Sequence, residues 1–192
     1  MKICVVGFSG SGKSTLSKRL GEIYSVPVLY CDTVHWLPNW VERDREDEKR
    51  IMEEFLDNND SWVIDGNYSA LSFDRRMEEA DQIIYMNFNR FSCLSRAHKR
   101  YIDNKGKVRD SMTEGCEEKF DREFIKWIMF DSRTKEQTEK YRLIKAKYPD
   151  KLIVIKGQDR LEKFIVASLA ANFFKEDVKN YYNSKRNNRT FK

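Results

Sequence analysis

The sequence predicts a doubly wound α/β fold built on a parallel sheet. Five short apolar segments recur along the chain, and segments with the helical spacing of apolar residues separate them. The apolar segments are continuous rather than alternating, which is typical of parallel strands that helices cover on both faces. A glycine-rich turn at 7–12 joins the first strand to the first helix. Strands alternating with helices in this way indicate the α/β class.

These patterns place each element. The predicted strands, in chain order, are Ile3–Val6, Val28–Cys31, Trp62–Ile64, Ile83–Phe88 and Leu152–Ile155. The predicted helices are Ser14–Tyr24, Asp44–Asp57, Phe91–Asn104, a longer helical region over Phe120–Lys147, and Arg160–Phe174. We expect one domain over 1–174, with no internal repeat and no low-complexity linker. A polar, glycine-containing segment at Lys105–Glu118 is either a mobile loop or an ordinary surface connection.

Composition sets limits on the class of protein. Hydrophobic residues are 40% of the chain and charged residues 35%, which is enough apolar material for a sizeable core under a polar surface. No apolar run approaches the roughly 20 residues of a membrane span, and the N-terminus does not resemble a signal peptide. The four cysteines have neither zinc-site nor paired spacing, so we expect free thiols. We therefore expect a cytoplasmic protein without a membrane partner, either monomer or homodimer.

The positive charge is concentrated at the C-terminus. Six Lys and Arg residues against two acidic ones in 175–192 account for +4 of the net +5, so the rest of the chain carries +1. A segment this polar buries little apolar surface, and we expect a frayed basic tail. The tail is either a solvated end or a weak DNA contact.

The glycine-rich turn carries a phosphate-loop motif. Gly7, Gly12, Lys13 and Ser14 fit the pattern G-x-x-x-x-G-K-[ST] between a strand and a helix. Glycines let successive backbone N–H groups surround an anion, and the helix start adds its positive dipole end. Such a lysine reaches the β- and γ-phosphates of ATP, and such a hydroxyl ligates Mg²⁺. The predicted nucleotide-binding residues of the loop are Gly7, Ser9, Gly10, Ser11, Gly12, Lys13, Ser14 and Thr15, with Lys13 also catalytic.

Two aspartates end neighbouring strands. Asp65 ends the third predicted strand and would lie beside the phosphate loop, where it holds Mg²⁺ with Ser14 or merely forms a turn. Asp32 follows the second strand and would face the crevice above the strand ends. It is either a base that accepts the proton of an attacking hydroxyl or a capping residue. His35, Trp36 and Trp40 follow it, either at the site or packed on a surface loop.

The motifs resemble a known group of kinases. GFSGSGKSTLSKRL, LYCDTVHWLPNW, WVIDGNYS and GCEEKFDREFIKWI together resemble the bacterial DNA topology modulation proteins, within the adenylate-kinase-like group of P-loop kinases. The resemblance runs over roughly residues 1–160. It implies a P-loop NTPase fold, a three-layer α/β/α sandwich with sheet order 2-3-1-4-5, an ATP site at Gly7–Thr15 and a helical lid at about 105–133.

The resemblance also implies arginines at the ATP site. In adenylate-kinase-like enzymes, two arginines one turn apart on the helix after the fourth strand contact ATP. Arg96 and Arg100 match that spacing, and one helix face can present both, although two solvated arginines would look the same. Arg109 and Arg133 are weaker candidates for closing over the γ-phosphate.

The acceptor side departs from the nucleoside monophosphate kinases. Those enzymes have Asp-Gly-(aromatic)-Pro-Arg after the third strand, whereas this chain has Asp65-Gly66-Asn67-Tyr68-Ser69. The arginine that clamps an acceptor phosphate is missing, with Arg75 or Arg76 as its possible substitute, and Asp32 favours a hydroxyl acceptor. The predicted acceptor-side residues are Asp32, His35, Trp36, Asn67, Tyr68 and Arg75.

Three functions remain open at this point. The first is a phosphotransferase that uses ATP and Mg²⁺ to phosphorylate a small molecule or nucleotide, with Lys13, Asp32, Arg96 and Arg100 as its catalytic residues. The second is a nucleotide-regulated protein that binds DNA and modulates its topology, with the basic tail supplying affinity. The third is a nucleotide hydrolase.

Overall fold

The structure is a computed structural model that describes residues 1–187, and residues 188–192 of the predicted tail lie outside the described residues. The strands are β1 (Lys2–Gly7), β2 (Val28–Tyr30), β3 (Trp36–Leu37), β4 (Val41–Glu42), β5 (Trp62–Asp65), β6 (Gln82–Met86) and β7 (Leu152–Ile155). The helices are α1 (Lys13–Tyr24), α2 (Cys31–His35), α3 (Arg45–Asn58), α4 (Phe73–Glu79), α5 (Arg90–Asp103), α6 (Arg122–Met129), α7 (Lys135–Lys147) and α8 (Gln158–Asn187).

The predicted α/β class with a parallel sheet is confirmed. Five strands pair in parallel in the order β2-β5-β1-β6-β7. This order differs in its labels from the expected 2-3-1-4-5, because β3 and β4 form a separate antiparallel ribbon. With the ribbon set aside, the five strands of the sheet run second, third, first, fourth, fifth.

Central strands and amphipathic helices form the core. Residues Ile3–Val6 of β1 and Trp62–Ile64 of β5 are almost completely buried, which explains their uninterrupted apolar character. Over β6, Tyr141 of α7 stacks on Tyr85 with ring centroids 4.2 Å apart. Helices α1 and α8 are joined where the Asn172 side-chain amide donates to the Ile23 carbonyl at 2.7 Å.

Several short elements escape the sequence patterns. The prediction missed α2, the β3–β4 ribbon and α4. The predicted helical region Phe120–Lys147 consists of two helices, because a short 3₁₀ turn at Asp131–Arg133 separates α6 from α7. The predicted helix end at Phe174 is wrong, because α8 continues to Asn187.

Two simpler expectations concern cysteines and membrane spans. All four cysteines are free and buried, as expected. Burial raises the pKa of Cys4 to about 12 and that of Cys31 to about 11, so both thiols stay protonated at neutral pH. Among residues 1–187, no helix combines the length and apolar character that crossing a membrane requires.

Candidate active site

A large cavity lies beyond the carboxyl ends of β1, β2 and β5. Its volume is about 1070 Å³, and residues that follow each of these strands line it, including Phe8, Asp32 and Gly66. The carboxyl ends of parallel strands are where open α/β sheets bind ligands. The cavity contains most of the residues that the sequence predicts for a site.

The turn between β1 and α1 has the backbone that the phosphate-loop motif requires. Gly10 has a φ of +75° and Gly12 a φ of +94°, in the left-handed region that favours glycine. A Cβ atom on Gly10 would also collide with the Cys93 carbonyl group. Helix α1 begins at Lys13, so its first N–H groups face the cavity mouth. The cavity lining includes Ser9, Gly10, Gly12, Lys13, Ser14 and Thr15.

Two predicted loop residues are placed behind the loop. Gly7 exchanges two hydrogen bonds with the Asn67 side chain: its N–H donates to Oδ1 at 2.9 Å, and its carbonyl accepts from Nδ2 at 2.5 Å. Ser11 is completely buried. Neither Gly7 nor Ser11 lines the cavity, and their contact with a nucleotide stays a prediction. They hold the shape of the loop because buried backbone groups need partners.

Asp65 is a buried carboxylate without enough partners. The residue is 5% exposed, and its Oδ1 accepts no hydrogen bond from the described residues. Burial raises its pKa to about 6, while the Lys13 ammonium and the Ser14 hydroxyl act in the opposite direction. A buried, unsatisfied carboxylate oxygen beside a serine hydroxyl fits a hard cation such as Mg²⁺. Ser14 and Asp65 are therefore compatible with the predicted metal site.

Asp32 and Tyr68 form a second polar centre in the cavity. Tyr68 donates its hydroxyl hydrogen to Asp32 Oδ1 at 2.8 Å. Among the described residues this is the only hydrogen bond to the Asp32 side chain, so the carboxylate keeps capacity for a ligand. Burial, together with the Asp32 charge, raises the pKa of Tyr68, which keeps its phenol protonated as a donor. Asp32 is the second residue of α2, which begins at Cys31 directly after β2.

Aromatic side chains form the wall beside Asp32. Trp36 and Trp40 both line the cavity and meet edge to face, with centroids 5.5 Å apart. The Lys119 ammonium lies 4.8 Å from the centre of the Trp40 ring. Indole surfaces of this kind suit flat or apolar faces of a small ligand.

His35 is not part of the cavity wall, which corrects the prediction. Its Nδ1 lies 2.5 Å from an oxygen of the buried Glu48. Its ring packs against Trp36 and Tyr68, with centroids 4.5 and 4.8 Å away. His35 therefore supports two cavity residues from behind, because its polar edge is used by Glu48.

Neither arginine of α4 reaches the cavity. Arg75 forms ion pairs with Glu53, Asp57 and Glu79, which direct it away from the site. Arg76 is completely buried and donates to the Gly66 and Tyr68 carbonyls at 3.3 and 2.8 Å.

The predicted substrate contact by Arg75 is therefore wrong, and Arg76 does not replace it. Arg76 instead fixes the backbone that carries Asn67 and Tyr68.

Arg96 lies against the phosphate loop. Its guanidinium donates to the Ser11 carbonyl at 3.4 Å and to the Gln158 side chain at 2.5 Å, and it stacks 4.3 Å from the Phe88 ring centre. It also lines the cavity near Gly12. The structure brings Arg96 to the loop, and its contact with a nucleotide stays a prediction.

Arg100 and Arg109 share one buried carboxylate. Glu118, whose side chain is 5% exposed, pairs with Arg100 at 3.1 Å and also with Arg109. All three line the cavity. Burial and the neighbouring Arg109 charge lower the pKa of Arg100, while Glu118 raises it. Two guanidinium groups held by one carboxylate leave a net positive charge in the wall of the cavity.

The expected lid segment closes one side of the cavity. Thr113 donates its hydroxyl hydrogen to the Trp36 carbonyl at 2.5 Å, and the Cys116 thiol donates to the Leu37 carbonyl at 3.3 Å. Trp127 donates its indole N–H to Ser9 Oγ at 3.1 Å. These contacts tie the segment to the β3–β4 ribbon and to the phosphate loop.

Arg133 lies outside this cavity, so its candidate role there is wrong. It donates to the Phe88 carbonyl at 2.9 Å and stacks 3.7 Å from the Phe8 ring centre.

Some cavity residues could not be found from the sequence. Lys140 of α7 donates to the Asn67 carbonyl at 2.8 Å and to Ser69 Oγ at 2.7 Å. Burial lowers its pKa. Lys140 sits among many charged residues of α7, and Glu118 among the acidic residues of its loop, so no local pattern singles either out.

Comparison with known proteins shows low similarity. No protein-family model matches the chain, and no curated protein matches it. Solved structures with a similar fold include a gluconokinase from Sinorhizobium meliloti 1021, with 16% identity, TM-score 0.45, and 95% of this chain and 97% of that one covered. A deoxyadenosine kinase from M. mycoides has 14% identity and TM-score 0.44 over 96% and 100%. A shikimate kinase from Acinetobacter baumannii has 13% identity and TM-score 0.49 over 93% of each chain. Identities and TM-scores this low carry no argument about the activity of this chain.

Proposed function

We propose that the protein is an ATP-dependent phosphotransferase whose acceptor is a hydroxyl group of a small molecule. The observation that carries this proposal is the content of one cavity: the phosphate loop with Lys13, the buried Asp65 carboxylate, and Asp32 held by Tyr68. Loop, metal-binding carboxylate and base are the parts that phosphoryl transfer needs.

The phosphate loop would hold the β- and γ-phosphates of ATP. Backbone N–H groups at the start of α1 and the Lys13 ammonium supply the positive charge. In this structure the Lys13 ammonium donates to the Phe8 carbonyl at 3.2 Å, a neutral acceptor that a phosphate oxygen can replace. Arg96 and Arg100 would contact the nucleotide from α5, and Arg109 would contact it from the lid segment.

Ser14 and Asp65 would hold Mg²⁺, which neutralises developing charge on the phosphates when it is bound. Asp65 must be ionised to serve as a ligand, and at neutral pH it is, because its pKa is about 6.

Asp32 would act as the base for the acceptor. Tyr68 fixes one carboxylate oxygen, and the other accepts the proton of the acceptor hydroxyl. The hydroxyl oxygen then forms a bond to the γ-phosphorus, while the bond from that phosphorus to the oxygen bridging to the β-phosphate breaks. ADP leaves with the electron pair of that bond.

The acceptor half of the cavity favours a hydroxyl over a phosphate monoester. Arg75 forms ion pairs with three carboxylates, and Arg76 is completely buried. Neither arginine is therefore free to bind an acceptor phosphate. Trp36 and Trp40 offer apolar surface beside the Asp32 carboxylate instead. The proposed function is that of a P-loop kinase, the group that the sequence motifs resemble. A nucleotide-regulated DNA-binding protein and a nucleotide hydrolase are the alternatives.

An acceptor screen tests the proposal. ADP release from Mg²⁺-ATP is followed with a panel of nucleosides, sugars, hydroxy acids and nucleoside monophosphates. We expect at least one hydroxyl compound to raise ADP release well above the rate without acceptor, and Lys13→Ala to abolish the increase. The proposal is wrong if only nucleoside monophosphates raise the rate, or if no acceptor does while ATP is still consumed.

A further inference from the structure

A second cavity lies on the far side of Phe8 and Tyr141. Its volume is about 610 Å³. We call it the basic cavity, because six of its lining residues are cationic and none is acidic: Arg90, Arg133, Arg142, Lys145, Lys156 and Arg160. The chain outside the C-terminal tail has a net charge of only +1, so this concentration of one sign is local.

Most of these cations have no acidic partner. Of the six cations, Arg142 is the only one that forms an ion pair with another described residue, Glu139 of the same helix. Arg133 uses neutral partners, the Phe88 carbonyl and the Phe8 ring. Arg90 lies 6.0 Å from the centre of the Phe130 ring. Like charges gathered without counter-charges repel one another and create a positive field that attracts anions.

The volume of the basic cavity suits a small ligand. Volumes of about 300–1,000 Å³ are usual for small-molecule sites, and 610 Å³ lies within that range. Tyr85 and Tyr141 are only 9% and 7% exposed, so their rings have little free surface on which a nucleic acid base could stack. The partly exposed Leu152 and Val154 of the edge strand β7 complete the lining.

The basic cavity is distinct from the candidate active site. Phe8 and Tyr141 are the residues that line both cavities, and they form the wall between them. Lys13, Asp32 and Asp65 line only the first cavity, and the six cations line only the second.

We propose that the basic cavity binds a small ligand that carries at least two linked phosphate groups. Arg90 and Arg160 can each pair two N–H groups with phosphate oxygens. Arg133, whose Nε and Nη2 groups already donate to the Ile128 and Phe88 carbonyls, adds positive charge, as do Lys145 and Lys156. Inorganic pyrophosphate and nucleoside diphosphates share this chemistry. The proposal does not depend on the reaction proposed for the first cavity.

Calorimetric titration with pyrophosphate tests the proposal. The Lys13→Ala variant is the parent, because the phosphate loop also binds phosphate groups. The pair Lys145→Ala/Arg160→Ala is added to it, and the matched control adds Arg45→Ala/Lys49→Ala, an exposed lysine and an exposed arginine of α3. If Lys13→Ala does not fold, as judged by its circular dichroism, Lys13→Met serves as the parent.

The expected result is that the parent and the control bind pyrophosphate equally, while the basic-cavity pair binds at least about tenfold more weakly. Tighter binding of ADP than of pyrophosphate supports a nucleotide as the ligand, and equal binding supports an inorganic one. The proposal is overturned if the parent does not bind at millimolar pyrophosphate, or if the two pairs bind alike. Binding of a single-stranded oligonucleotide without binding of pyrophosphate also overturns it.

Discussion

At the residue scale, Asp65 is a carboxylate whose burial is energetically unfavourable but whose position suits a ligand of Mg²⁺. Its folded-state pKa of about 6 lies above the ordinary 3.8 because burial disfavours the charged form. The folded state therefore binds this proton more tightly than the unfolded state does. Its ionisation lowers the free energy of unfolding as pH rises from about 4 to about 6, and the loss is complete above that range.

Replacing Asp65 should remove this pH dependence. In metal-free protein, we expect the free energy of unfolding of Asp65→Asn, relative to wild type, to rise by up to about 3 kcal/mol between pH 4 and pH 7.5. Urea denaturation at the two pH values measures the difference. An equal difference at both pH values would contradict the assigned pKa shift.

Asp65 should also control the metal requirement. Because only the ionised carboxylate binds a cation, we expect the Mg²⁺ concentration for half-maximal ATP turnover to rise as pH falls below about 6. Asp65→Asn should raise it at every pH. The comparison variant is Asp60→Asn, which removes a carboxylate near the amino end of β5, outside the cavity lining. If both variants need the same Mg²⁺ as wild type, Asp65 is not the ligand.

The sequence identifies single functional residues well where they lie in one local motif or at the end of a predicted strand. Lys13 and Ser14 follow from one motif, and Asp32 and Asp65 from their places at strand ends. Arg75 was misplaced because its partners, Glu53 and Asp57, lie on another helix and no local pattern shows that they capture it. Lys140 and Glu118 reach the site only through tertiary packing.

At the element scale, helix caps explain why the predicted helical region Phe120–Lys147 is divided into two helices. Asp121 caps the start of α6 by accepting a hydrogen bond from the Phe124 N–H, and Thr134 caps the start of α7 by accepting one from the Gln137 N–H. The sequence Thr134-Lys-Glu-Gln137 is a capping-box pattern, so the break was readable. The two-residue strands β3 and β4 are different, because segments so short have no periodicity to detect.

Glu118, in the segment between α5 and α6, holds Arg100 of α5 in the wall of the cavity that the phosphate loop also lines. We expect Arg100→Ala to slow turnover by on the order of 10²-fold while changing ATP affinity much less, because charge that stabilises the transferred phosphoryl group acts mainly in the transition state. Steady-state kinetics and calorimetric ATP titration measure the two effects. Arg122→Ala, an exposed arginine at the start of α6, is the control and should resemble wild type. An equal loss of affinity and turnover in Arg100→Ala would assign it to ground-state binding.

At the scale of the whole molecule, charge distribution is where sequence and structure differ most. The sequence places nearly all excess charge in residues 175–192. The structure adds a local concentration, since the cations of the basic cavity come from separate parts of the chain between Arg90 and Arg160. Because these cations lie in separate segments of the sequence, no local pattern shows the grouping, and only the tertiary packing brings them together.

The tail remains a candidate for weak DNA contact. We expect the full chain to bind duplex DNA weakly and without sequence preference. Truncation after Phe174 should reduce the salt dependence of the DNA affinity, because that dependence is proportional to the number of DNA phosphates that the protein neutralises. The truncation keeps Asn172, which joins α8 to α1, so ATP binding should not change. Fluorescence anisotropy at several salt concentrations measures the slope. Tight DNA binding that survives truncation would require a surface on the folded body.

The fate of the γ-phosphate tests the central claim most directly. Phosphorus NMR follows Mg²⁺-ATP with an acceptor found by the screen, using wild type and Asp32→Asn. We predict that the γ-phosphate appears as a phosphate monoester of the acceptor, and that Asp32→Asn slows this by about 10²–10⁴-fold with ATP affinity retained. Release of the γ-phosphate only as inorganic phosphate, at the same rate with and without acceptor, would contradict the account and identify a hydrolase.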